Sequence, residues 1–353
     1  MIRKSALSTC LLLGAAMAAI GQSRQESLNK CRSLDPDAKI IGCTALIQAG
    51  QDTTENLSVI YKNRGTAYDD KGDYDRAIQD FNEAVRLDPN AESAYYGRGY
   101  AYKKKGDYDR AIQDFNEAIH LNPNFERAYY DRGNAYIDKG DFDRAIQEFN
   151  EAIRLNSKDA NAYNNRGVAY HRKGDYDHAI LDYNQAIRLN SNFTSAYSSR
   201  GDAYFAMSNL TAAVGDYECT ISAAPSSSAA VHAVLMLHLI MKRQRHDDAQ
   251  QLARVAAAAN LSKWPGPVLK LDLGQMTADE VMVAAAHADA DSQKWQVCEA
   301  NYFTGEDALL HHQRTTALAR LKAARDACPK GDPDYGAALA ELKRLAALAP
   351  PAK

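Results

Sequence analysis

Residues 72–90 read GDYDRAIQDFNEAVRLDPN, and the same pattern returns from residues 106, 140 and 174. Each copy starts 34 residues after the one before it. A fixed period of this length is typical of arrays in which every unit packs on the next, so a chain of 353 residues needs no single large core. We therefore interpret the rest of the chain outward from this repeat.

Small and aromatic residues recur in register with the copies. Tyr61, Gly65 and Tyr68 precede the first copy at spacings of four and three, which place them on one face of a helix. Ala77 and Phe81 fall on a second helix, and both sets return in every later unit, with Tyr183 and Tyr217 in place of phenylalanine in the last two. Gly-Asp pairs between the helices suit a turn followed by a helix start. The pattern predicts an all-α fold in which the alanines let paired helices touch at the glycines.

These columns resemble the tetratricopeptide repeat (TPR) family, whose unit is a helix pair of 34 residues. The resemblance implies a right-handed α-solenoid of helix-turn-helix repeats. It covers residues 58–227 as five units, 58–91, 92–125, 126–159, 160–193 and 194–227. The sequence departs from the pattern where Ser157 and Ser191 replace proline, where Ser208 occupies the turn, and at Thr220 in the last small-residue column.

The N-terminus has the pattern of a secretory signal peptide, which we assign to residues 1–21. Arg3 and Lys4 precede an apolar run from Ala6 to Ile20. That run is short against the roughly 20 residues needed to span a bilayer. Cys10 lacks the small residue expected before a lipid-bearing cysteine. We expect an exported, periplasmic protein with no membrane span after cleavage; secretion, or retention of the segment, is left open.

Export places the remaining cysteines in an oxidising compartment, which favours disulfides. One period before the first unit, Cys31 falls in the glycine column and Cys43 in the alanine column, so a bridge between them is expected in an N-terminal hairpin over residues 22–57. A second bridge is expected between Cys298 and Cys328, which close the same end of a degenerate hairpin. Cys219 is left as a free thiol.

Residues 228–353 continue as degenerate helical repeats. Helices are predicted over 229–243 and over 247–259. A capping box at Thr277 indicates the start of a short helix, and another helix is predicted to begin at Cys298. A last helix, which begins at Pro333, is predicted to cap the array. Residues 263–274 and 298–306 look like the C-terminal part of periplasmic TPR adaptors of the NlpI type. That resemblance implies an envelope adaptor that brings enzymes together. Without a lipidation cysteine, membrane attachment and client identity do not carry over.

The first helix of each unit has a stripe that the core leaves free, and in TPR arrays this stripe lines the partner-binding groove. Its tyrosines can bury apolar side chains while their hydroxyls stay wetted, and its asparagines can pair with a peptide backbone. A two-carboxylate clamp is broken, because Thr66 replaces the required Asn. The predicted groove comprises Lys62, Tyr96, Tyr100, Lys103, Tyr130, Asn134, Asn164, Asn165 and His171, with Ser198 and Asp202 continuing the stripe in the fifth unit.

Other chemistry finds little support in the sequence. A net charge of -3 gives no case for nucleic acid, and none of the nine histidines has metal-ligand spacing. Nucleophile and phosphate-loop motifs are absent, and the repeated Asp and Glu residues are interpreted as solvated helix faces. We predict a non-catalytic scaffold or adaptor without cofactor or metal. The alternatives are a periplasmic assembly chaperone and, less favoured, an all-helical enzyme; a homodimer is left open.

Overall fold

The computed structural model describes residues 22–225, 227–243, 257, 264–287, 290–328 and 333–347. Every regular element in these ranges is helical, so the all-α prediction is confirmed. The chain forms two compact units, one ending at Leu155 and the other beginning at Asn156. The predicted signal segment lies outside the described residues, as does the predicted helix over 247–259 apart from residue 257.

The first compact unit is a series of helices in which each helix packs on the next. Its opening helix, α1, covers residues 22–31. The helices that follow are α2 Pro36–Ala49, α3 Thr54–Asp70, α4 Tyr74–Leu87, α5 Glu92–Lys104, α6 Tyr108–Leu121, α7 Glu126–Lys139 and α8 Phe142–Leu155.

The second compact unit begins with two further repeat pairs, α9 Ala160–Lys173 with α10 Tyr176–Leu189, and α11 Thr194–Ala206 with α12 Leu210–Ala223. The C-terminal helices are α13 Ser228–Arg243, α14 Gly266–Asp272, α15 Ala278–Ala286, α16 Ala290–Leu310, α17 Arg314–Ala327 and α18 Pro333–Ala347. The predicted capping box is present at the start of α15, where the Thr277 and Glu280 side chains bond each other's backbone.

The turn between the two helices of a repeat has the same backbone conformation in each of the five repeats. Between α5 and α6, Gly106 has a φ of 77°, a left-handed conformation that glycine adopts without a steric penalty. The Asp107 side chain then accepts a hydrogen bond from the Arg110 backbone N–H at 3.1 Å and caps α6. In the fifth repeat Ser208 takes the same conformation, with a φ of 61°.

Glycine is needed in its column because the aromatic ring of the same repeat packs directly against it. A Cβ built on Gly167 would lie 2.7 Å from Cε1 of Tyr183, a ring that is fully buried. At Gly99 the nearest atoms are Phe115 Cδ1 at 3.0 Å and the Ala111 carbonyl oxygen at 3.1 Å. The predicted meeting of glycine and alanine columns is therefore confirmed, with the aromatic ring as the closer neighbour.

One column of acidic residues is buried, which corrects the interpretation of the repeated acids as solvated faces. Arg98 donates two hydrogen bonds to Asp114, at 2.8 and 2.7 Å, and only 5% of Asp114 is exposed. The arginine and the carboxylate lie on the two helices of one repeat, so each pair ties its hairpin together. The same contact joins Arg64 to Asp80, Arg132 to Glu148, Arg166 to Asp182 and Arg200 to Asp216.

Both predicted disulfides are present. Cys31 and Cys43 join α1 to α2 with Cα atoms 4.6 Å apart, and Cys298 and Cys328 join α16 to the end of α17. The expectation that Cys298 begins its helix is wrong. The helix α16 already includes Ala290, and residues 290–304 contain no proline or glycine that would interrupt it before Cys298. Cys219 is exposed and unbridged, as predicted.

The C-terminal helices of the second unit surround an apolar cluster that runs from Ala213 to Leu345. The helix α18 packs on α11, α16 and α17. Arg314 at the start of α17 donates to the Leu345 carbonyl oxygen at 2.7 Å, which holds α18 in place. Among the described helices, none combines the length and apolar character needed to cross a membrane.

Candidate protein-binding surface

Six predicted groove residues belong to the first compact unit, and all of them are half-buried. The predicted stripe therefore remains accessible on three helices that occupy the same place in successive repeats. The helices α3 and α5 contact each other, as do α5 and α7. We call this set the tyrosine surface: Lys62 on α3, Tyr96, Tyr100 and Lys103 on α5, and Tyr130 and Asn134 on α7.

A buried carboxylate that the sequence did not single out organises the tyrosine surface. Asp131 accepts a hydrogen bond from the Tyr96 hydroxyl at 2.6 Å and another from Lys103 Nζ at 3.0 Å. Burial and the neighbouring Asp131 raise the pKa of Tyr96. The expectation that the Tyr96 hydroxyl stays wetted is wrong, because Asp131 on the next repeat lies within its reach. The bonds fix two side chains of α5 against α7.

Aromatic rings extend the tyrosine surface along α5 and α7. The Tyr96 ring centroid lies 5.0 Å from that of Phe125 and 5.8 Å from that of Phe115. Lys103 and Lys104 place their ammonium groups 5.5 and 5.3 Å from the centre of the Tyr100 ring. Tyr100 is thus a half-exposed ring flanked by cations, a group suited to contacts with apolar and carboxylate side chains.

Asp69 is a second carboxylate that sequence reasoning missed. It lies 34 residues before Lys103 and therefore occupies the same register on α3. Burial, followed by the charge of Asp70, raises the pKa of Asp69 to about 6, and Lys104 opposes the shift. Its Oδ1 atom is buried without a hydrogen-bond partner among the described residues. The sequence could have indicated Asp69, because it occupies the same position of the repeat on α3 as the predicted groove residue Lys103 does on α5.

The remaining predicted groove residues, which lie on α9 in the second compact unit, are less accessible. Asn164 is 7% exposed and donates to Asn165 Oδ1 at 3.1 Å. His171 is 6% exposed, and burial lowers its pKa, so its imidazole is neutral near pH 7. These side chains are mainly packed, and only the half-buried Asn165 offers a polar group at the surface.

Asp202, expected on the free stripe of the fifth repeat, is instead part of a half-buried charged cluster. Its Oδ1 atom accepts from the Tyr217 hydroxyl at 2.8 Å and from His232 Nε2 at 3.1 Å. The other ring nitrogen of His232 lies 3.5 Å from Glu299 Oε1. Burial alone lowers the pKa of His232, but the two carboxylates outweigh it and hold that pKa well above its usual value. The cluster joins α11 to α13 and α16.

Comparison with known proteins agrees with this architecture. The sequence matches family profiles described as tetratricopeptide repeat over residues 62–124, 115–147 and 160–193, and one described as TPR repeat over 133–174. The chain is a tetratricopeptide repeat protein. The matched residues include the second half of α3 and all of α5 and α7, the helices that carry the tyrosine surface. No curated protein matches the chain.

Solved structures of TPR proteins are similar to parts of the chain. MamA is 30% identical, with 45% of this chain and 93% of that chain covered and a TM-score of 0.43. PilF from Pseudomonas aeruginosa is 16% identical, with 63% and 98% covered and a TM-score of 0.52. YrrB, described as a TPR protein with an unusual peptide-binding site, is 22% identical, with 54% and 96% covered and a TM-score of 0.45. The likeness to PilF supports the fold.

A metal site finds no support in the part of the chain that the structure describes. There, no three His, Cys, Asp or Glu side chains come together in an arrangement that could hold a metal ion. The closest approach to a catalytic grouping is the cluster of Asp202, His232 and Glu299, in which both imidazole nitrogens already face carboxylates.

Proposed function

We propose that this TPR protein is a non-catalytic adaptor that binds an extended protein segment on the tyrosine surface. One observation carries the proposal: half-buried aromatic, cationic and amide side chains lie along one stripe on α3, α5 and α7 and differ between repeats, while the core columns keep their residue type. Asp131 fixes the two α5 side chains before any partner arrives, which lowers the conformational cost of binding. TPR proteins are scaffolds for protein–protein contacts, and YrrB is described as having a peptide-binding site.

The composition of the tyrosine surface defines the kind of segment that fits it. Tyr100 and Tyr130 offer ring area at a low entropic cost, and Asn134 offers an amide for backbone pairing. The lysines of the surface and the adjacent carboxylate Asp69 carry charges of opposite sign, so neither a strongly acidic nor a strongly basic tail is favoured. We infer that the partner segment has mixed apolar and polar character.

A photo-crosslinking amino acid at position 100 tests the proposed site. It should capture a defined set of proteins in cells, identified by mass spectrometry. The matched control is position 117 on α6, an exposed residue of the second helix of the same repeat. Identical captures from both positions would contradict the proposal.

Affinity measurements with a captured and purified partner make the test quantitative. Tyr100→Ala should weaken binding at least about tenfold, or about 1.4 kcal/mol, whereas Glu117→Ala should leave it unchanged. Tyr100 is a better choice than Tyr96, because Tyr96 also packs on Phe115 and bonds Asp131. Equal affinity of both variants would move the site away from the tyrosine surface.

We further propose that the adaptor works in the cell envelope. Two features support export: the signal-like segment over residues 1–21, and two disulfides of a kind rarely retained in a reducing cytosol. The test is the mass and location of the protein in fractionated cells. Cleaved protein in the periplasmic fraction, with only Cys219 open to thiol reagents, is the expected result; uncleaved cytosolic protein with five reactive thiols beyond residue 21 would overturn it.

A further inference from the structure

A partly enclosed cavity of about 320 Å³ lies within the second compact unit. The helices α10 to α13, α16 and α18 contribute to its wall. Its volume is at the lower end of the range for small-ligand sites. Much of the wall is apolar or aromatic, supplied by Tyr176, Phe205, Met236 and Tyr302. The cavity is therefore large enough for one compact group with an apolar body.

Asp202 gives the cavity a hydrogen-bond acceptor. Its side chain lines the cavity and is 13% exposed. Both of its hydrogen bonds, from Tyr217 and His232, end on Oδ1. No hydrogen bond from the described residues ends on its second oxygen, Oδ2, which makes that atom the candidate acceptor for a ligand. His232 cannot serve in the same way, because each of its ring nitrogens faces a carboxylate.

The charges around the cavity favour a cation. Asp202, Glu341 and, behind His232, Glu299 supply three negative charges, against the positive charges of His232 and Arg344. Glu341 is 8% exposed, whereas its partner Arg344 is 55% exposed and more strongly screened by water. The balance inside the cavity is therefore negative. The rings of Tyr176, Phe205 and Tyr302 add a further attraction for a cation.

We propose that this cavity binds a primary ammonium group carried on an apolar or aromatic stem, with Asp202 Oδ2 as the acceptor. The ammonium group can belong to a free amine or to a lysine side chain of a bound peptide. The site lies on residues other than the tyrosine surface, and it does not depend on the function proposed for that surface.

Calorimetric titration of the full chain tests the charge preference with three probes of one shape. Phenethylamine carries the ammonium group, phenethyl alcohol is neutral, and phenylpropionate is anionic. Phenethylamine should bind at least about tenfold more tightly than either of the others. No binding of phenethylamine, or equal binding of the alcohol or the acid, would overturn the proposal.

Two variants on α18 test whether phenethylamine binds in this cavity. Ala340 lines the cavity and is exposed, so Ala340→Phe should fill the mouth without disturbing the core. Ala346 is exposed on the same helix and does not line the cavity, which makes Ala346→Phe the matched control. Ala340→Phe should weaken phenethylamine binding at least about tenfold, and Ala346→Phe should not. Unchanged binding to Ala340→Phe would place the amine elsewhere.

Asp202→Asn tests the acceptor directly, with circular dichroism to confirm that the variant folds. A folded Asp202→Asn protein should lose the preference for phenethylamine over phenethyl alcohol; retention of that preference would exclude Asp202 as the anchor. Should this variant unfold, Ala340→Phe still decides the site. Competition by the peptide acetyl-Phe-Lys-Phe-amide, but not by its norleucine analogue, identifies a lysine side chain as the occupant. Competition by neither peptide identifies a free amine.

Discussion

At the scale of single residues, the glycine column shows how little space separates paired helices. Gly167 and Gly215 are both helical glycines of the second compact unit, but their surroundings differ. Gly167 faces the buried Tyr183 ring, whereas nothing lies within 4 Å of a Cβ placed on Gly215. Helix propensity favours alanine at both positions, so only packing distinguishes them.

The first prediction uses this pair. Gly167→Ala should lower the free energy of unfolding by about 1–3 kcal/mol, because the new Cβ would lie 2.7 Å from the fully buried Tyr183 ring. Gly215→Ala should raise it by up to about 1 kcal/mol through helix propensity alone. Urea unfolding followed by circular dichroism measures both. A stabilising Gly167→Ala would mean that the ring is not the reason for glycine at this position.

Asp69 supports a second prediction at the residue scale. Its pKa of about 6 is raised above the usual value, so the folded state holds the proton more tightly than the unfolded state. Its contribution to stability is therefore fully present below about pH 4 and is lost as the pH rises through about 6. Asp69→Asn should gain stability relative to wild type across this interval, measured by urea unfolding at each pH. Glu117→Gln controls for the loss of one charge, and a pH-independent difference between Asp69→Asn and wild type would contradict the assignment.

At the scale of helices, the turn between the two helices of a repeat follows one design with one exception. Gly72, Gly106, Gly140 and Gly174 all have positive φ angles, and Ser208 takes the same conformation with a side chain that disfavours it. In the sequence this exception is visible as Ser208, which replaces the turn glycine in the fifth repeat. Structure adds that the turn keeps its geometry despite the substitution.

A third prediction follows for this turn. Ser208→Gly should raise the free energy of unfolding by about 0.5–1 kcal/mol, because relief of the left-handed strain exceeds the added freedom of glycine in the unfolded chain. The reciprocal change Gly174→Ser, at the equivalent turn of the preceding repeat, should lower it by about 1–2 kcal/mol. Thermal and urea unfolding measure both variants. Effects of the same sign in the two variants would refute the argument.

The helix pairs also show where sequence reasoning stops. Periodicity predicted the helices, the contact between glycine and alanine columns, and the cysteine pairs, because all of these depend on register. Periodicity did not predict that Asp114 is buried. An acidic residue that recurs in every repeat has the pattern of an exposed helix face, and its burial becomes clear only when it is paired with Arg98 on the preceding helix. The Tyr96–Asp131 bond was missed for the same reason: it joins neighbouring repeats, and a column comparison examines each repeat alone.

At the scale of the whole molecule, stability is expected to be local. In repeat arrays each helix pair contacts mainly its neighbours, so a perturbation is felt near its origin. The two disulfides lie in different compact units, and each closes a hairpin near one end of the described chain. The C-terminal helices lose the clean period and join one apolar cluster, which the sequence pattern could not define residue by residue.

A fourth prediction concerns the disulfides. Replacing Cys298 and Cys328 with serine should destabilise the second compact unit by about 3.7 kcal/mol in the chain-entropy model, because the bridge closes a long loop. Hydrogen exchange should then accelerate in α16 and α17 and stay unchanged in α4 to α6. The Cys31→Ser and Cys43→Ser double variant should instead accelerate exchange in α1 and α2 and leave α16 and α17 unchanged. A uniform loss of protection in either variant would indicate that the two units unfold as one.

The link between successive repeats has a consequence for how such a chain changes length. Arg98 donates to Asn82 on the preceding helix pair, and Arg132 donates to Asn116 in the same way. Removing residues 92–125 would therefore bring Arg132 opposite Asn82, with the same atoms available to bond. A gene that encodes near-identical stretches can lose or gain one of them by unequal recombination. The product would differ in reach by one helix pair and would fold by the same contacts.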